Sequence, residues 1–63
     1  MTEQQFLELK VGDMVRFEGK VYKITFARTL GDVKRSHKFI WVSYNGEPSI
    51  TIFLNKCKNI QKL

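Results

Sequence analysis

Few side chains in this sequence could carry covalent chemistry. The nucleophile candidates are Cys57, Ser36, Ser43 and Ser49, and His37 is the one histidine available as a base. Ser36 and His37 are adjacent, and neighbours in an extended segment point to opposite faces, so they are badly placed to act together. Cys57 and His37 lack further ligands at the spacing a zinc site needs. There is also no phosphate-binding glycine loop and no paired-acid motif. The expectation is a protein that is not an enzyme, with no cofactor and no metal.

Charge is the more informative chemistry. Residues 1–19 carry a net charge of −2 and residues 20–63 a net charge of +7. The positive charge gathers in two places. One is Arg28, Lys34, Arg35 and Lys38, with His37 among them. The other is Lys56, Lys58 and Lys62, with no acid after Glu47. Such a surface suits nucleic-acid phosphates, and an aromatic beside it, Trp41 or Tyr44, could stack on a base. The expected nucleic-acid-binding residues are therefore Arg28, Lys34, Arg35, Lys38, Lys56, Lys58, Trp41 and Tyr44, with DNA or RNA as partner. The plainer reading is that surplus lysine keeps a small domain soluble and blocks edge-to-edge aggregation. The alternative function is a protein-interaction module or small inhibitory subunit. Its groove would lie between the 28–38 loop and Tyr44 and Trp41, facing an acidic partner protein.

These side chains must be held by a small frame. With 63 residues there is room for one domain, and a core of this size without staples supplies roughly 3–5 kcal/mol. The one cysteine excludes an internal disulfide, and Cys57 reads as a small buried hydrophobe. No secretory segment or membrane span is legible, so the expectation is a cytoplasmic chain, monomeric or weakly dimeric. Eight aromatic residues argue for a packed core.

Along the chain, Thr2-Glu3-Gln4-Gln5 fits a capping box and predicts a helical turn over residues 3–8, within an N-terminal segment 1–9 that precedes a β domain over 10–63. Glu18-Gly19 predicts a tight hairpin between Met14–Phe17 and Lys20–Arg28. A two-residue turn there puts Val15, Phe17, Tyr22, Ile24 and Phe26 on one apolar face. Residues 29–37 lack periodicity, carry a Gly31-Asp32 turn signal and read as a loop.

Asn45-Gly46 predicts a second hairpin between Lys38–Tyr44 and Ser49–Leu54. A four-residue loop puts Phe39, Trp41, Ile50 and Ile52 together, making Trp41 a core residue. It leaves Ile40, Val42 and Tyr44 as a strip on the other side; a three-residue loop swaps this pairing. Residues 55–59 read as a 3₁₀ turn before a last strand at 60–63.

Five short strands with a 3₁₀ turn before the fifth resemble an SH3-like barrel along nearly the whole chain. The Leu9-Lys10-Val11-Gly12-Asp13-Met14-Val15-Arg16-Phe17 entry is similar to the opening of KOW- and Tudor-type barrels, although Lys20-Val21-Tyr22 stands where a KOW motif has further glycines. The resemblance implies an all-β binding module. That superfold serves many unrelated functions.

Overall fold

A computed structural model describes residues 1–31 and 33–63. Asp32, half of the expected Gly31-Asp32 turn signal, lies outside the described residues. Helix α1 (Glu3–Leu7) starts with the anticipated capping box: Gln5 N donates to Thr2 Oγ1 and Thr2 N donates to Gln5 Oε1. Five residues are too few to hold a helix in water, so tertiary contacts must supply its stability. Phe6 and Leu9 supply them by entering the core. The Met1 amine adds two hydrogen bonds to the carbonyls of Cys57 and Ile60, at 2.9 and 2.7 Å.

The rest is one antiparallel sheet. Strands β1 (Met14–Phe17), β2 (Lys20–Arg28), β3 (Phe39–Ser43), β4 (Ile50–Phe53) and β5 (Ile60–Lys62) lie in the order β4-β3-β2-β1-β5. Short 3₁₀ helices at Arg35–His37 and Leu54–Asn59 precede β3 and β5; the first falls in the segment expected to be an irregular loop. Strand number and the turn before β5 are as expected. Closure is not: β4 and β5 remain the two edges of an open sheet, because β5 is three residues long and pairs only with β1.

The first hairpin has the expected register, with Phe17 opposite Lys20 and Val15 opposite Tyr22. Glu18 and Gly19 both take positive φ, 51° and 81°, as the tight turn of a two-residue hairpin requires. Left-handed backbone costs an ordinary L-residue roughly 1–2 kcal/mol, and asparagine tolerates it better. Glu18→Asn is therefore expected to stabilise the protein by about 0.5–1 kcal/mol. That corresponds to a rise of roughly 3–6 °C in Tm by thermal melting. An unchanged Tm would mean that Glu18 is not strained in this turn.

Two single-residue irregularities then decide the faces. In the β2–β3 ladder Ile24 pairs with Val42, but Phe26 pairs with Trp41, leaving Thr25 as a bulge. Its hydroxyl lies 3.3 Å from the Trp41 carbonyl and 3.2 Å from Ser49 Oγ. In the second hairpin Asn45 and Gly46 take φ of 49° and 80°, and Glu47 N donates to Tyr44 O. The strands beyond pair Val42 with Ile50 and Ile40 with Ile52, which leaves one more residue on the β4 side of the turn than on the β3 side. Ser43 Oγ clasps the Glu47 carbonyl at 2.8 Å and closes that wider loop.

A slip of one residue turns every side chain over. Ile40 and Val42, expected to form an outward strip, are completely buried beside Ile24, Ile52 and Ile60. Trp41, expected in the core with Ile52, faces outward opposite Thr51. Phe26, expected beside Val15 and Ile24, is carried out with it. The core is completed by Val15, Phe17, Leu54 and Cys57, the last buried as expected.

Candidate nucleic-acid interface

The bulge and the widened loop put four aromatic rings side by side on the outer face of the sheet. Phe26 stacks near Trp41 with centroids 4.9 Å apart, and Phe39 lies 6.1 Å from Trp41 and 5.9 Å from Phe26. Phe53, opposite Phe39 on β4, extends the row at 5.7 Å. Cross-strand aromatic pairs stabilise a sheet, so part of this arrangement is structural. Their exposure is not explained that way: Phe26, Trp41 and Phe53 keep 36%, 43% and 45% of their surface in contact with solvent. Contiguous apolar surface of this kind marks an interaction site more often than an isolated exposed ring does.

The charge around the rings has one sign. Among the described residues, none in the five strands is acidic, whereas Arg16, Lys20, Lys23, Arg28 and Lys62 all lie in them. Strand alternation puts Arg16, Lys23 and Arg28 on the aromatic face. The Arg28 guanidinium lies over the Phe39 ring, 5.4 Å from its centroid, where the ring quadrupole attracts a cation. The described acidic residues lie outside the strands, and two of them face cations: Glu3 pairs with Arg35, and Asp13 lies 4.0 Å from Lys62.

The eight residues expected to form the interface are divided by the fold. Arg28 and Trp41 share the outer face. Lys34 caps the first 3₁₀ helix and is exposed, Arg35 lies within it, and Lys38, half-buried, follows it. Lys56 and Lys58 are exposed on the second 3₁₀ helix, which packs against the first and so brings the loop and tail clusters together. Tyr44 does not join Trp41. It lies on the opposite face, at the hairpin end of the sheet, with its ring 5.9 Å from Tyr22 and the Lys20 ammonium 5.2 Å from its centroid. Trp41 and Tyr44, expected to wall one groove with the 28–38 loop, therefore stand on opposite faces of the sheet.

Phe26, Phe39, Phe53, Arg16 and Lys23 were not among the expected site residues. Two signals pointed to them: acid-free strands, and the three-residue loop that swaps the faces of the second hairpin. Among the described residues, no group of three potential metal ligands comes together, and no helix is long and apolar enough to cross a membrane. No known protein family, curated protein or solved structure matches the chain.

Proposed function

We propose that this protein binds single-stranded nucleic acid on the outer face of its sheet, without catalysis. The observation that carries the proposal is the aromatic row Phe26, Trp41, Phe39 and Phe53, with Phe39 half-buried and the other three exposed, on a sheet whose described strand residues include no acid. Aromatic side chains stack on unpaired bases whatever their identity, and each such stack is worth about 1–3 kcal/mol. Arg16, Lys23 and Arg28 neutralise phosphates beside the rings. A duplex keeps its bases stacked on one another, so single strands are favoured over duplexes.

Trp41 is the one tryptophan in the chain, which makes its fluorescence a direct reporter of stacking at the site. Titration with short single-stranded DNA and RNA at low salt is expected to quench it, with matched duplexes weaker. Neutralising three phosphates of a single strand gives a slope of about −2 in log K against log salt. Unchanged fluorescence and mobility with every single strand at low salt would overturn the proposal.

A second reading, protein interaction, is favoured by one specific observation. β4 is an edge strand with no charge or proline in it, and its Ile50 and Phe53 are exposed. Recovery from cell extract of a bound protein that persists after nuclease treatment, together with absent nucleic-acid binding, favours this second reading.

A further inference from the structure

Beside Phe53 the surface opens into a cleft of about 670 Å³ between the two 3₁₀ helices, lined by Arg35, Ser36, Phe53, Leu54 and Asn55. Its volume is within the roughly 300–1,000 Å³ of small-molecule sites. Phe53 belongs to two features at once: it ends the aromatic row and forms a wall of the cleft. A strand following the rings across β3 and β4 is therefore led over the β4 edge and into this space. The remaining lining suits a nucleotide, since Leu54 and Phe53 offer apolar walls. Asn55 and Ser36 offer hydrogen-bonding groups, and Arg35 offers a planar fork of donors matched to phosphate.

Arg35 is already engaged. Its guanidinium pairs with Glu3, in the first turn of α1, and both side chains are about half or more exposed, at 64% and 48%. An exposed pair of this kind is weak and is screened by salt, so an incoming phosphate can displace the carboxylate. We infer that the cleft between the two 3₁₀ helices is the terminal subsite of the nucleic-acid path, where Arg35 takes a backbone phosphate in exchange for Glu3. The inference rests on the proposed single-strand binding and adds to it a place and a competitor. Glu3 then lowers affinity in the free protein while holding Arg35 at the cleft mouth.

The test uses a dye-labelled oligothymidylate of about eight nucleotides, within the range one small β-domain covers, with Glu3→Gln, Arg35→Ala and the double variant. Glu3→Gln is expected to tighten binding by about two- to fivefold, the scale of an exposed ion pair. Arg35→Ala is expected to weaken it and make the salt slope shallower by about 0.7, the loss of one phosphate contact. In the Arg35→Ala background Glu3→Gln should have no effect, because its action passes through Arg35. Both positions are exposed, so thermal melts should show folded variants.

Thymidine monophosphate alone should bind far more weakly than the oligomer; equal affinity would overturn the cleft as part of a strand path. If neither variant moves affinity or slope while Trp41→Ala weakens binding, the subsite is overturned and the aromatic face stands. If Glu3→Gln weakens binding as Arg35→Ala does, the pair is structural and the exchange is overturned. If wild-type protein binds no oligomer, both readings fail.

Discussion

Replacing Trp41 by alanine is expected to lower affinity for single-stranded oligonucleotides by about 5- to 150-fold, the range that one lost base stack represents. The size of the effect follows from its position. Trp41 lies on the central side of the aromatic row, within 4.9 Å of Phe26 and 6.1 Å of Phe39, and 43% of it remains open to a ligand. A base seated there covers Trp41 and meets a neighbouring ring at its edge. Folding is affected too: the two aromatic pairs lost with the indole, to Phe26 and Phe39, contribute about 0.5–1.5 kcal/mol each, so Tm should drop and affinity is to be read below the variant's melting transition. Trp41→Phe keeps a stacking surface and should retain most of the affinity. Fluorescence anisotropy of a labelled oligomer, with a melting curve of each variant, separates the two effects. Wild-type affinity in folded Trp41→Ala would show that bases do not stack at this ring.

The second large effect concerns folding alone. Phe6→Ala removes a completely buried ring from the core cluster that Phe6 shares with residues of every strand and of the second 3₁₀ helix. Large-to-small changes of this type cost about 3–5 kcal/mol, because the transfer energy is lost and a cavity is left. An unstapled core of this size supplies about the same amount, so the variant is expected to be largely unfolded at room temperature. Helix α1, five residues long, has little to hold it once its anchor is gone. Far-ultraviolet circular dichroism with urea titration measures this directly. A cooperative transition with a midpoint near that of the wild type would show that α1 only decorates a sheet that is stable without it.

Much of the frame was legible because it is local. Thr2 and Gln5 meet across one helical turn, Glu18-Gly19 needs no distant partner to reverse the chain, and both appear as read. The 3₁₀ turn before β5 and the burial of Cys57 follow from short-range composition in the same way. The candidate site was only partly legible. Arg28, Lys34, Arg35 and Lys38 stood out as a charge cluster, and Trp41 as an aromatic near it. Phe26, Phe39 and Phe53 could not be assigned to the outer face by alternation from an assumed register.

The sequence by itself determined the class of the protein: a small, basic, antiparallel β domain of five short strands. Such features arise from composition, turn chemistry and period-two patterning, which act over a few residues. Only the tertiary structure decided which face is which. β3 is apolar on both sides, Phe39 and Trp41 on one and Ile40 and Val42 on the other, so its pattern balances on a knife-edge between two orientations. The extra residue between Asn45-Gly46 and β4, and the bulge at Thr25, tip that balance. In the resulting arrangement Ile40 and Val42 share one buried core with Phe6 and with Leu54 and Cys57 of the second 3₁₀ helix, while the larger flat rings lie outside. The open edge between β4 and β5 was settled at the same level, since whether two strands meet depends on the path of the whole chain between them.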